Sequence, residues 1–339
     1  MQRPTYCEGI GNMLSRIARG LYQMGRSIER AQNMVRILEV NHKMDLEREP
    51  LGAASGWVAI AESIPIEAPA TTEAVLYAEL VLSDVHPFSV RQCISAARNH
   101  GRSMRDHVSE EMWLHLNRYY LDLRELDFGD ILRVGRSEFN RQVETFCDAF
   151  HGLADNTMVR GPAWAFLRAG KFLERAEMCC RILDIKRKTL ELVPHAEGHP
   201  LDVHQWQALL RSLSAYEPYR RVYQARIQPE RVLEFVLKSD AFPRSLAHSL
   251  VQFAGSLRLV SASGRAQGEL QHRVDGLLQK LHQTDPLTVL GEGRLHQEVI
   301  YWLEYCDELA LALDETYFSN LRPAVSAAHS WQTTLQAPQ

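Results

Sequence analysis

The stretch GRSIERAQNMVRIL, residues 25–38, returns as GKFLERAEMCCRIL, residues 170–183. Residues 18–40 align with 163–185 without a gap, at an offset of 145. Ala18, Gly25, Glu29, Arg30, Ala31, Arg36, Ile37 and Leu38 all recur. Two weaker echoes follow in the same order. Trp57-Val58-Ala59 and Ser63 come back as Trp206-Gln207-Ala208 and Ser212, at an offset of 149. Ser83-Asp84, Pro87 and Ser89-Val90 come back as Ser239-Asp240, Pro243 and Ser245-Leu246, at an offset of 156. Ordered anchors with drifting offsets point to a tandem duplication with small insertions, its boundary near Asp155-Asn156. Two copies of one helical unit can pack about a pseudo-twofold axis, by the logic of an isologous dimer.

The quoted stretch is helical in pattern. Leu14, Ile17, Ala18, Leu21, Met24, Gly25, Ile28, Ala31, Val35 and Leu38 fall in steps of three and four, the period of a buried helix face. This predicts a first helix over residues 12–45, and its echo predicts another over 158–190, interrupted at most near Pro162. Pro50, Gly52, Gly56, Pro65 and Pro69 break the chain, as do Pro194, Gly198 and Pro200. Between them, Thr71 or Thr72, Ser89 with Gln92, Ser109 and Asp202 read as helix caps. Phe128-Gly129-Asp130 reads as a turn. Pro229 starts a helix, Pro243 precedes one, and residues 255–283 and 288–318 read as long helices. No strand hairpin is evident. The expectation is all-α: a large helical bundle of two pseudo-twofold-related repeats, 12–156 and 157–320, forming one domain, with 1–11 and 324–339 loose.

Bulk properties narrow the function. The chain has 339 residues, 45% hydrophobic and 24% charged, with a net charge of −4. No basic excess suggests a nucleic-acid surface. No run of eighteen apolar residues suggests a membrane span, and the first residues lack a signal-peptide core, so the expected location is cytoplasmic. The six cysteines form no Cys-x-x-Cys, and Cys179-Cys180 sit inside a helical pattern. They read as small buried hydrophobes.

Glu-Arg is the chemically distinctive element. A helix turns about 100° per residue. Glu29 therefore lies at the edge of the apolar arc, on the side of Tyr22, Gly25, Arg26, Asn33 and Arg36, while Arg30 turns toward the polar side. Consecutive residues do not face each other, so each must find a partner elsewhere. Glu174 has Gly170, Lys171 and Arg181 on its side, with Arg175 turned away. Gly in a helix interior costs roughly 1 kcal/mol relative to Ala. Writing it twice, as Gly25 and Gly170, implies that a backbone or a ligand comes close. Two readings follow. The glutamates are boundary carboxylates bound by arginines of neighbouring helices, with Arg98, Arg102 and Arg105 as possible donors. Alternatively, both units face one polar cleft and bind a charged ligand, for which the forked guanidinium suits carboxylate or phosphate. The candidate binding set is Tyr22, Arg26, Glu29, Arg30, Arg36, Glu174, Arg175 and Arg181.

At these residues the chain resembles the bacterial alpha-E family, named for an α-helical domain with an E-R motif. The similar blocks are MLSRIARGLYQMGRSIERAQNMVRILEVN, SVRQCISAARNHGRSMRDHVSEEMW, LERAEMCCRILD and FPRSL, spread over roughly residues 12–320. The resemblance implies a helical protein encoded beside, or fused to, a circularly permuted ATP-grasp ligase, with a transglutaminase-like cysteine peptidase as another companion. It implies an accessory or interaction role in a peptide-forming or peptide-modifying system, binding the ligase or a charged peptide or amino-acid ligand. Any ligase activity would belong to the partner, since no P-loop is present.

The alternative is an enzyme acting on a peptide or amino-acid amide, with Glu29 and Glu174 as its acid-base pair, because close carboxylates separate in pKa. A weaker alternative is a homo-oligomeric structural protein. No cofactor or metal is expected. Glu39-Val40-Asn41-His42 makes one Glu-x-x-His, but its echo is Asp184-Ile185-Lys186-Arg187, and Glu111 with His115 is a lone pair. Tyr219 to Arg226, rich in Tyr and Arg, could hold a phosphate or a partner's acidic face, or simply be a solvated helix face.

Overall fold

The long apolar stripe of the opening stretch becomes a 34-residue helix, α1 (Ser15–Arg48). Its echo becomes the 31-residue α8 (Pro162–Leu192), begun by a proline whose missing N–H costs nothing at a helix start. The computed structural model describes residues 15–48, 56–64, 72–192, 200–224, 226–260 and 265–318. Among these residues every regular element is a helix. Between α1 and α8 come α2 (Gly56–Ser63), α3 (Glu73–Leu82), α4 (Val90–Ser103), α5 (Glu110–Arg124), α6 (Phe128–Val134) and α7 (Arg136–Thr157). After α8 follow α9 (Pro200–Ser212), α10 (Tyr216–Tyr223), α11 (Pro229–Lys238), α12 (Leu246–Arg258), α13 (Arg265–Gln283), α14 (Pro286–Gly291) and α15 (Leu295–Tyr317). No helix among the described residues is long and apolar enough to cross a membrane.

α1 and α8 are the two central helices. Each packs most extensively on the other, with α4 and α7 laid on α1 and α12 and α15 laid on α8. One continuous apolar cluster runs through all of these helices. α8 is buried nearly all round from Ala165 to Leu183, as a helix enclosed by others must be.

The crossing explains the two glycines. A Cβ on Gly25 would run into the Leu167 carbonyl oxygen and come 2.9 Å from the Lys171 amide nitrogen. A Cβ on Gly170 would run into the Tyr22 carbonyl oxygen and come 3.1 Å from the Arg26 amide nitrogen. Each glycine lets the facing backbone approach, so the close neighbour is a helix rather than a ligand.

Several local expectations need correction. Phe128-Gly129-Asp130 is the first turn of α6, because Asp127 and Asp130 form a reciprocal capping box. Gly135, at φ 96°, then separates α6 from α7. Asp155 and Asn156 lie inside α7, which runs on to Thr157. Asp202 lies in the first turn of α9, which Pro200 begins. Ser89 precedes α4 but its hydroxyl caps nothing. The helix expected over 255–283 is divided, α12 ending at Arg258 and α13 beginning at Arg265, and Gly293 at φ 65° separates α14 from α15. Thr72 and Ser109 do cap, accepting from the amides of Val75 and Met112, and Ser245, not expected to cap, accepts from the amide of His248. Pro50, Gly52, Pro65, Pro69, Pro194, Gly198 and both expected loose termini lie outside the described residues.

Candidate functional site

One turn beyond the glycine crossing, the two Glu-Arg units exchange partners. Arg175 of α8 grips Glu29 of α1 with a parallel fork, its Nε 2.8 Å from Oε1 and its Nη2 2.8 Å from Oε2. Arg30 of α1 grips Glu174 of α8 through the same two nitrogens, with Nη2 2.8 Å from Oε2. The remaining Nη1 of Arg175 reaches the Pro243 carbonyl at 3.3 Å, and that of Arg30 reaches the Pro87 carbonyl at 3.4 Å. Neighbouring positions on one helix point about 100° apart, so Glu and Arg of one unit cannot pair. At a crossing they can pair with the opposite helix. Arg30 and Arg175 thus turn into the α1–α8 interface, not to the polar side.

Around Glu29 the shell is complete. The Asn33 amide donates at 2.9 Å, Arg244 donates from Nη1 at 3.1 Å, and His151 Nε2 lies 3.3 Å away. Arg244 also donates to Gln32 and Asn33, at 3.1 and 3.2 Å. Burial alone would push the Glu29 carboxyl up. Arg175 and Arg244 outweigh it, with help from His151, and hold the carboxyl well below the usual carboxylate range. Burial, with Lys171 nearby, brings His151 down to about 4 against the pull of Glu29, so it is neutral at pH 7.

Around Glu174 the partners differ. Arg26 donates from Nε at 2.6 Å and uses Nη2 on Glu177. Arg181 joins Glu177 at 2.9 Å and the Ser63 carbonyl at 3.1 Å. Burial opposes ionisation of Glu177, but Arg26, Arg181 and Arg30 bring it to about 2. Phe88, at the repeat position of Arg244, offers its ring to Arg30 at 4.7 Å and to Arg181 at 5.0 Å.

The structure thus brings six of the eight candidate residues to one crossing, in two clusters: Glu29 with Arg175, and Glu174 with Arg26 and Arg30, to which Arg181 is joined through Glu177. Tyr22 is buried at its edge, its ring 5.9 Å from the Arg26 guanidinium. Arg36 stands apart, buried beside Glu144 at 3.5 Å. Arg98, Arg102 and Arg105 do not serve the glutamates: Arg98 binds Asn117 and lies over Trp113 and Tyr120, Arg105 lies over Trp113, and Arg102 is exposed. Arg244, His151 and Glu177 were not anticipated, while Asn33 takes the place on Glu29's side that helix geometry gave it. Two signals pointed to them: Arg244 lies in the FPRSL block, and His151 interrupts the apolar face Val143, Cys147, Ala154 of α7.

Both glutamate side chains are 0% exposed and are closed off by cations. An acid-base pair needs to reach a substrate and to exchange a proton near operating pH. Glu29 does neither, and Glu174 has no route to solvent, so the acid-base reading fails on geometry. Glu39 turns to Lys43 and Asn140, His42 to Glu73, and His115 to the Phe146 carbonyl. Among the described residues no group of three or more His, Cys, Asp or Glu side chains converges as a metal site would. Among the described residues five cysteines are buried and unbridged, and burial pushes the Cys93 thiol up to about 12. Arg220 and Arg221 of α10 are exposed while Tyr219 is buried.

The network sets an acid limit on stability. His151 has its folded pKa depressed, so stability falls as pH drops from about 6.5 toward 4. Glu29 and Glu177 are also depressed; their contribution is present above the ordinary carboxylate value near 4.5 and is lost as pH falls through their folded values, about 2 for Glu177. Asp307, which burial raises to about 6, works against His151 between about pH 6 and 4, so melting temperature measured from pH 7 to pH 3 should fall gently above pH 4 and steeply below it. His151→Gln should flatten the part between pH 6.5 and 4 and leave the steeper part below it.

The sequence matches the family model described as "a predicted alpha-helical domain with a conserved ER motif" over residues 13–318. Similar curated proteins are an uncharacterized protein of Mycobacterium bovis and uncharacterized proteins of two Mycobacterium tuberculosis strains. Each is 24% identical over 295 residues, covering 80% of this chain and 32% of the relative. The chain thus spans about a third of the length of the curated relatives it matches. No solved structure matches. With the match running from the start of α1 to the end of α15, and with its Glu-Arg motif present twice at the central crossing, this chain belongs to the Alpha-E family.

Proposed function

We propose that the chain is an accessory protein of an ATP-grasp-type ligase in a cytoplasmic system that makes or modifies peptide amide bonds, with a transglutaminase-like peptidase as a possible further companion. Its task is to bind the ligase or its charged peptide substrate. One observation carries the non-catalytic part: the Glu-Arg units close on each other, so the motif acts as a clamp between α1 and α8. A clamp of this kind holds outer helices at fixed positions, which suits a surface read by a partner. The ligase itself comes from the family resemblance. The matched region makes up 32% of the mycobacterial relatives, which leaves room for a partner in the same polypeptide. We also propose that the exchanged contacts reflect a duplicated helical unit, with α1, α4 and α7 corresponding to α8, α12 and α15.

The test is reconstitution. The chain and the ligase encoded beside it are co-expressed, purified and assayed for ATP-dependent amide formation, together and apart. The expected result is a complex of fixed stoichiometry and at least tenfold faster product formation when both are present, with no turnover by the chain alone. Absence of both association and stimulation contradicts the proposal.

A further inference from the structure

Between α7 and α8, bordered by His151 and by solvent-exposed Asp155, lies a second feature that the clamp does not use. A cavity of about 140 Å³ is lined by His151 and Asp155 of α7 and by Trp164, Arg168, Lys171 and Phe172 of α8. The spacing explains the gathering: positions 164, 168, 171 and 172 share one face of α8, and 151 and 155 share one face of α7.

The charges here do not balance. Among the described residues, no carboxylate lies within ion-pairing distance of Arg168 or Lys171. Arg168 lies over the Trp164 ring at 4.9 Å and over Phe172 at 5.0 Å, and its guanidinium donates to the neutral Gln252 amide oxygen. The Lys171 ammonium lies 5.6 Å from the Phe172 ring centre and has no hydrogen-bond acceptor among the described residues. Asp155 is already engaged, accepting from the Trp164 indole at 3.2 Å and facing Arg160 at 3.6 Å. Burial, with Arg175 nearby, brings Lys171 down to about 8 against the weaker pull of Glu29 and Asp155. The contrast with the clamp is sharp. Arg26, at the repeat position of Lys171, has both Glu174 and Glu177.

A largely buried cation without a partner is costly, and a negative ligand removes the cost. A guanidinium fork beside an ammonium is the donor set for an oxyanion. We propose that this cavity binds the oxyanion head group, a carboxylate or a phosphate, of a small ligand between Arg168 and Lys171, with Trp164 at its rim. The volume is small beside the roughly 300–1,000 Å³ of pockets that enclose a drug-sized molecule, so a head group fits rather than a whole nucleotide. The site follows from this cavity alone and stands or falls separately from the ligase reading.

The full chain is titrated at pH 7 with inorganic phosphate and, separately, with acetate, at ionic strength held constant with chloride. Heat and melting temperature are recorded. A saturable response to phosphate alone marks a phosphate site, and a response to acetate a carboxylate site. Either response should weaken at least tenfold in Lys171→Met and in Arg168→Gln and persist in Lys171→Arg. As a readout on the unsubstituted chain, acylation of Lys171 by an amine-reactive ester, followed by mass spectrometry, should slow when the same anion is present. No saturable response to either anion overturns the proposal, as does a response unchanged in both weakening variants or unprotected acylation of Lys171 at saturating anion.

Discussion

Glu29→Gln is expected to lower the folding stability by about 3 kcal/mol, the cost of leaving a buried cation without its partner. Glutamine keeps the shape of the side chain and removes only its charge. Arg175 and Arg244 would then face each other across a neutral amide, with Glu29 no longer offsetting their repulsion. Gln32, Asn33 and the Pro243 carbonyl accept some of their protons but carry no full charge. Glu174→Gln should be of the same order, because Arg26 and Arg30 converge on it and only Arg26 has a second carboxylate in Glu177. Urea unfolding read by circular dichroism gives both values. A loss under about 1 kcal/mol for both would mean that the fork is dispensable to the fold.

Gly25→Ala should also destabilise, by roughly 3 kcal/mol, although alanine is the better helix former by about 1 kcal/mol. The added methyl meets the Leu167 carbonyl oxygen and the Lys171 amide, both backbone atoms of a buried helix that cannot rotate aside. The two long helices must separate, and overpacked cores lose about 1–3 kcal/mol even where side chains can shift. Gly170→Ala meets Tyr22 and Arg26 in the same way and should behave alike. Gly152→Ala, with nothing within 4 Å of the new methyl, serves as the control and should be neutral or slightly stabilising. A thermal melt in which all three variants match the parent would contradict the close crossing.

How far this arrangement is legible beforehand depends on the range of the contact. The apolar steps from Ile17 to Leu38 and the repeated glycines are local, and they lead to α1, α8 and a close neighbour at Gly25. That Glu29 and Arg30 cannot pair with each other is also local geometry. Which arginine answers Glu29 is not: Arg175 is 146 residues away and Arg244 is 215. The repeat held the clue, since two Glu-Arg units crossing each other leave one natural pairing. Arg98, Arg102 and Arg105 read as donors only because they lie in one charge-rich stretch, although α4 ends at Ser103, before Arg105. In three dimensions two of them settle over aromatic rings of α5 instead. Boundaries went astray where a short polar side chain decides them. Asp127 and Asp130 cap each other into a helix where Phe-Gly-Asp reads as a turn, and the Ser89 hydroxyl does not take up the cap its position suggests. The cavity beside Lys171 needs α7 and α8 side by side, which no pattern along either helix reveals.

The central claim is that the two Glu-Arg units hold the fold together by gripping one another. A double-mutant cycle on Glu29 and Arg175 tests it most directly, using Glu29→Gln, Arg175→Met and the pair, each unfolded in urea. The expected result is a coupling of about 2 kcal/mol or more, the loss in the double variant falling short of the sum of the two single losses by that amount. Losses that add to within about 0.5 kcal/mol would show that the two side chains do not act on each other, and the clamp between α1 and α8 would have to be abandoned.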